Sequence, residues 1–142
     1  MENEVIKDIR EFNRFYTTIL GVVNNHILES DYSLTEARII YELTDSKELT
    51  AREIKEKLQI DEGYMSRIIT RFVKSGILNK NQSKNDKRVY VLKLTTRGEE
   101  ISRLINQQSD RQVKNLIKHL SKTEQEKLVG LIKQVKDLLV KK

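Results

Sequence analysis

Between residues 5 and 28, Val5, Ile9, Phe12, Tyr16, Ile19, Val23 and Ile27 recur at steps of three and four, one apolar stripe on a long helix. A stripe of about seven turns needs an equally long partner surface. After Asp31 and Tyr32, Ser33-x-x-Glu36 is a capping-box pattern, in which the hydroxyl accepts from an early backbone N–H and the carboxylate reaches back to the cap. It predicts a second helix to about Thr44 that buries Leu34, Ala37, Ile40 and either Leu43 or Tyr41. The stretch DSKEL breaks that helix, and Thr50-x-x-Glu53 starts a short third one, with Ala51, Ile54 and Leu58 inward, ending near Gln59. Asp61 caps a fourth helix that reaches Ser75, where Gly76 is suited to end it in the left-handed conformation.

Projected at about 100° per residue, the fourth helix carries Met65, Ile68, Ile69 and Phe72 on one side. Its far side carries Gly63, Ser66, Arg67, Thr70, Arg71 and Lys74. Many exposed helix faces are polar and cationic, but this helix has no acidic residue after Glu62, whereas a solvated face usually mixes signs to gain i,i+4 pairs. From Val89 to Leu94 the pattern alternates, with Tyr90, Leu92 and Leu94 on one face of a strand. Paired with Ile77 to Lys80, that strand makes a two-stranded hairpin whose tip is the basic stretch NQSKNDKR. A helix pair with a short turn followed by a basic hairpin is the winged helix-turn-helix arrangement, and the hairpin is its wing.

The chain then returns to helix. Thr96-x-x-Glu99 predicts the cap of a fifth helix, with Ile101, Leu104, Ile105 and Gln108, then Val113, Leu116, Ile117 and Leu120, on its stripe. Ser121-x-x-Glu124 predicts the cap of a sixth, on which Leu128, Leu131, Ile132, Val135, Leu138 and Leu139 line up. These stripes exceed what a small helix-and-hairpin domain can cover. A homodimer of two-fold symmetry, formed by the terminal helices, would bury them.

Composition narrows the chemistry. With 142 residues, 37% hydrophobic and 34% charged, the chain has the size of one folding unit. No apolar run approaches the roughly 18 residues of a membrane span, and the acidic, amphipathic N-terminus does not read as a secretory signal, so a soluble, cytoplasmic protein is expected. The absence of cysteine excludes disulfides and thiol chemistry, and two histidines, His26 and His119, do not suggest a metal cluster. No cofactor is expected. Without a Gly-x-Ser-x-Gly elbow or a phosphate-binding glycine loop, and with the histidines far apart, no nucleophile or general base can be nominated, so the chain does not read as an enzyme.

The net charge of +6 is unevenly spread. Residues 1 to 50 hold 5 Lys/Arg against 10 Asp/Glu, residues 51 to 97 hold 12 against 5, and residues 98 to 142 hold 10 against 6. A basic middle third behind an acidic first third is the footprint of a polyanion binder, although charge alone does not separate it from a solvated Lys/Arg surface.

Asp86-x-Arg88, followed after five residues by Leu94-Thr95-x-x-Gly98, is similar to the wing signature D-x-R-x5-L-T-x-x-G of the MarR family. The stretch DEGYMSRIITRFVKSGIL also resembles that family's recognition helix, and the order of elements matches over essentially the whole length. The resemblance implies a mainly α fold with a small β-hairpin wing. Residues 33–97 would form the DNA-binding lobe, and residues 1–30 and 99–142 the dimerisation helices. It further implies a transcription regulator, by family default a repressor, working as a homodimer on double-stranded DNA. In that family Ser66 and Arg67 would face DNA, Arg88 would enter a minor groove, and Asp86 would hold its guanidinium.

The chemistry agrees with those roles. Arginine suits a narrow, electronegative minor groove and also pairs with guanine in the major groove, which makes Arg67 the best base-reading candidate among Ser66, Arg67, Thr70 and Arg71. Lys74, Lys84 and Lys87 are candidates for phosphates, as are the helix N-termini at Ser33 and Thr50. Family members commonly respond to small aromatic or phenolic acids in a crevice beside the dimerisation helices. Tyr16, His26, Tyr32 and Tyr41 can line such a crevice, and can equally belong to the core. The rival expectation is a winged helix that docks a protein or RNA partner without an operator of its own.

Overall fold

Five helices begin where a hydroxyl or carboxylate side chain satisfies an N-terminal amide that the helix itself leaves unpaired. The computed structural model describes residues 1–21 and 30–141. Ser33 starts α2 (Leu34–Glu42), Thr50 starts α3 (Ala51–Leu58) and Ser121 starts α6 (Lys122–Val140), each with the complete reciprocal capping box. Asp61 starts α4 (Glu62–Lys74) by accepting from the Tyr64 N–H at 2.9 Å. The start of α5 (Thr96–Ile117) departs from expectation. Its cap is Thr95, one residue before the predicted Thr96, and the Thr95 hydroxyl accepts from the Gly98 N–H at 3.0 Å. Glu99 is used elsewhere: it accepts from the Ser46 N–H at 3.2 Å.

The first helix, α1 (Glu2–Leu20), is shorter than the periodicity predicted. Gly21 takes φ 73° and its N–H returns to the Thr17 and Thr18 carbonyls, which closes the helix. Val23, His26 and Ile27 lie outside the described residues. No residue of α1 is buried, and Val5, Ile9, Phe12 and Tyr16 are exposed.

The chain divides into two compact units, Met1–Gln107 and Gln108–Lys142. In the first, the helix-turn-helix core is formed by Ala37, Ile39, Ile40 and Leu43 of the α2 region, Ile54 of α3, Met65, Ile68, Ile69 and Phe72 of α4, and Leu92 and Leu94 of the sheet. The face predicted for α4 is the buried one. On α2 the inward face is rotated slightly from expectation: Ile39 is fully buried, while Leu34 and Tyr41 are exposed. Glu42 is buried with this face. Burial alone would push its carboxyl up, but hydrogen bonds from Lys57 and Arg38, each at 3.1 Å, outweigh that and hold it below its ordinary value. The ion pair to Lys57 ties α2 to α3.

The sheet has three strands rather than the two of a bare hairpin. Its order is β1 (Leu49–Thr50), β3 (Tyr90–Leu94), β2 (Leu78–Gln82), all antiparallel. The short β1 pairs Leu49 with Leu92 and Thr50 with Val91, so the strand that the alternation revealed is central. Between α2 and β1, Asp45 and Ser46 both take left-handed backbone, at φ 64° and 61°. The Glu99 carboxylate on the Ser46 N–H and a Thr44–Ser102 hydroxyl pair at 2.8 Å hold this turn against α5.

The root of the wing is a close backbone joint. The end of α4 is a Schellman cap: Gly76, at φ 78°, donates to the Val73 carbonyl and Ile77 to that of Phe72. The Thr95 N–H then donates to the Ile77 carbonyl at 3.0 Å, and its hydroxyl to the Gly76 carbonyl at 2.5 Å. A β-carbon on Gly98 would run into that Ile77 carbonyl and press on Leu94. In the second unit, the Gln125 amide donates to the carbonyls of Ile117 and Leu120 at the end of α5. No residue of α6 is buried, and Leu131, Ile132, Val135, Leu138 and Leu139 are exposed.

Two substitutions with opposite signs are expected from this backbone. Gly98→Ala should lower stability by about 1–3 kcal/mol through overpacking against a carbonyl. Ser46→Gly should raise it by about 1 kcal/mol by relieving the left-handed conformation while keeping the N–H that Glu99 accepts. Urea denaturation of both variants beside the parent checks the two signs together.

Candidate nucleic-acid interface

The burial of Met65, Ile68, Ile69 and Phe72 leaves the opposite side of α4 to solvent. Gly63, Ser66, Arg67, Thr70, Arg71 and Lys74 are all exposed there. Arg67 lies 5.9 Å from the ring centre of Tyr64, one turn back, within range of a cation–π contact. A β-carbon at Gly63 would sit 3.8 Å from an Arg67 guanidinium nitrogen and 3.3 Å from the Asp61 carboxylate. The guanidinium is therefore folded toward the N-terminus of α4, the end that meets base edges in helix-turn-helix proteins. Lys74 forms no ion pair among the described residues, whereas Arg71 is bonded to Glu36 at 2.5 Å. Lys55 of α3 and Glu62 of α4, at 3.2 Å, tie the two helices of the motif.

The wing tip is ordered by its own polar groups. Ser83 donates from its backbone to the Val89 carbonyl at 2.7 Å, Val89 to that of Asp86 at 3.0 Å, and the Gln82 amide to that of Lys87 at 2.6 Å. Asp86 then accepts three bonds from Arg88, including one from Nη2 to Oδ2 at 3.4 Å. One carboxylate oxygen accepts from the Arg88 backbone N–H at 3.0 Å and from its Nε at 3.2 Å. The backbone bond first, and the side-chain bond after it, hold the Asp86 carboxyl below the usual carboxylate value. The Arg88 side chain nevertheless remains 91% exposed. Lys84 and Lys87 flank it, exposed and without ion pairs among the described residues.

A concave gap of about 190 Å³ separates α4 from the sheet, with Ser66 and Thr70 on one wall and Lys80 and Tyr90 on the other. The Lys80 ammonium sits 5.3 Å over the Tyr90 ring. Tyr64, Lys80 and Tyr90 were not among the residues nominated from sequence. The i,i+3 spacing of Tyr64 and Arg67 was legible, but the approach of Lys80 to Tyr90 depends on strand register.

The other nominated residues are placed differently. Ser33 and Thr50 accept from their own helices, and Glu36 and Glu53 occupy their backbone N–H groups, so each N-terminus already faces a carboxylate. Tyr32 packs against the core with its ring steeply inclined, at 76°, to that of Phe72, 6.2 Å between centres, and burial raises its hydroxyl pKa. Tyr16 stacks on Phe12 at 5.6 Å on α1, and Tyr41 is exposed on α2. His26 lies outside the described residues.

This geometry defines a winged helix-turn-helix protein: α3 and α4 as the helix pair, the β2–β3 hairpin as the wing. Comparison with known proteins shows which of these it is similar to. The MarR family model matches residues 32–90. The HTH-type transcriptional regulator BilQ of Clostridioides difficile is 27% identical over 109 residues, covering 75% of this chain and 74% of that protein. The crystal structure of the reduced form of MarR from Escherichia coli superposes with a TM-score of 0.75 at 26% identity, over 89% of this chain and 93% of that one. A cysteine-to-serine mutant of MarR from Escherichia coli, complexed with operator DNA, superposes with a TM-score of 0.72 at 25% identity, over 94% and 96% of the two chains. The chain is thus similar to the MarR family of transcription regulators, in sequence over residues 32–90 and in fold over most of its length.

The wing makes a pH prediction. Because the Asp86 pKa is depressed in the folded chain, its contribution to wing order is complete above the ordinary carboxylate range and is lost as pH falls through the depressed value. Acid titration followed by NMR should show the Arg88 amide resonance moving with a midpoint below that of an unperturbed aspartate. In Asp86→Asn, that titration should vanish.

Proposed function

We propose that this chain is a sequence-specific regulator that binds double-stranded DNA as a homodimer on an inverted-repeat operator and acts as a repressor. The observation that carries the reading is the pairing of two cationic elements: the outward face of α4, without an acid after Glu62, and a wing arginine that is pre-ordered by Asp86 yet exposed. A helix that fits a major groove beside an ordered arginine that fits the adjacent minor groove is a two-groove reader. The operator complex of the E. coli relative, similar in fold over nearly the whole chain, supports the same reading.

Within it, residues 33–97 are the DNA-binding lobe. Arg67 reads a base, Ser66 and Thr70 adjust the fit, and Lys74, Lys84 and Lys87 meet phosphates. The segments 1–30 and 99–142 are the dimerising frame. The exposed apolar rows Val5, Ile9, Phe12 and Tyr16 on α1, and Leu131, Ile132, Val135, Leu138 and Leu139 on α6, support that assignment, since single chains rarely leave such rows open to water. Release by a small aromatic or phenolic ligand belongs to the same reading. Tyr32 is the tyrosine best connected to α4 for it, through its contact with Phe72.

Selection from a random duplex pool at two salt concentrations tests the proposal. An inverted repeat with half-sites about 10 base pairs apart is expected, matching recognition helices about 34 Å apart in a dimer. Arg67→Ala should relax preference at one position per half-site, worth about 1–3 kcal/mol, while Lys74→Ala should weaken all sequences alike and flatten the salt slope by about 0.9. Sequence-blind binding by the parent would overturn the operator reading. Sedimentation at micromolar concentration should give a dimer, and a monomer would overturn the assignment of the terminal helices.

A further inference from the structure

Arg71 stands on the cationic side of α4, and its sequence position nominated it for the DNA surface. Its guanidinium is engaged by the protein instead. One nitrogen donates to Glu36 Oε2 at 2.5 Å, while the side chain keeps 60% of its exposure and passes 6.0 Å from the Phe72 ring centre. The Glu36 side chain is only 15% exposed, and its second oxygen accepts from the Ser33 backbone N–H at 3.0 Å. The carboxylate is thus held at both oxygens: one closes the capping box of α2, and the other takes Arg71 from α4.

From this geometry, and resting on the reading that the outer face of α4 meets DNA, we propose that Glu36 withholds Arg71 from the nucleic acid. A carboxylate free to rotate would yield its arginine to an approaching phosphate. Glu36 is locked by the cap, so a phosphate close enough to bind Arg71 also meets a fixed negative charge. Arg71 and Glu36 together present no net charge to DNA, and the pair releases no counterion on binding. Arg67, Lys74, Lys84 and Lys87 differ in having no ion pair among the described residues. Arg71 is a positioning residue, fixing α4 against the N-terminus of α2. Glu36 sets how strongly the protein holds DNA of any sequence.

Glu36→Gln isolates the charge, because glutamine also serves at this position of a capping box and retains an oxygen for the Ser33 N–H. Affinity of the full chain for a random-sequence duplex is measured from 50 to 200 mM salt. In Glu36→Gln the slope of log K against log salt should steepen by about 0.9, so that the variant loses roughly threefold to fourfold more affinity than the parent over that range. The double variant Glu36→Gln, Arg71→Gln restores local neutrality and should return to the parent slope. A Glu36→Gln slope equal to the parent's, or a double variant flatter than the parent by about 0.9, overturns the proposal and leaves the interface reading intact. A parent chain with no salt-dependent duplex binding overturns both.

Discussion

The carbonyl groups of Gly76 and Ile77 are the point on which the winged helix-turn-helix half of the fold turns. They lie where α4 has just ended and β2 is about to begin, and a chain leaving a helix must find partners for its last carbonyls. Thr95, nineteen residues later, supplies both a backbone and a side-chain donor, and the same hydroxyl accepts from the Gly98 N–H in the first turn of α5. The approach is close enough that only glycine fits at position 98. One threonine and one glycine therefore fix where the wing starts, where it returns, and where the next helix begins. The L-T-x-x-G half of the wing signature is a packing requirement, with Leu94 in the core. The D-x-R half, at the other end of the hairpin, serves the tip: Asp86 shapes the turn and directs Arg88 outward.

Where local chemistry is self-contained, the fold was legible. The boxes at Ser33, Thr50 and Ser121 are complete within four residues, and the inward face of α4 follows from helical spacing alone. Departures occur where a distant partner decides. Thr96-x-x-Glu99 has the residues of a capping box, yet Glu99 is drawn to the left-handed turn at Asp45 and Ser46, and Thr95 caps α5 while bonded to the end of α4. The strand Leu49–Thr50 carries too short a pattern to register as one, and exists because β3 has an open edge to pair. Apolar spacing does not weigh the left-handed conformation of Gly21, which closes α1 at Leu20.

The candidate interface divides in the same way. Arg67, Lys74 and Arg88 were legible because they fall on a helix face or in a short motif. The state of each cation was not. Arg88 is ordered by an acid two residues away, Arg67 leans on a ring one turn back, and Arg71 is neutralised by a glutamate on another helix. Sequence position nominates arginines by direction, whereas the partner that each finds determines whether its charge is available. Ser33 and Thr50 illustrate the converse. Both sit at helix N-termini suited to phosphate, and in both the same box that starts the helix brings a carboxylate to that end.

The central assertion is that α4 and the wing occupy two different grooves of one DNA site. Dimethyl sulfate protection on a selected operator tests it directly, because the reagent marks guanine N7 in the major groove and adenine N3 in the minor groove. Protection of guanines in each half-site, together with adenines flanking each half-site, is the expected pattern, and Arg88→Ala should restore only the adenine signal. Protection confined to one groove, or loss of both signals together in Arg88→Ala, would contradict a two-groove docking of α4 and the wing.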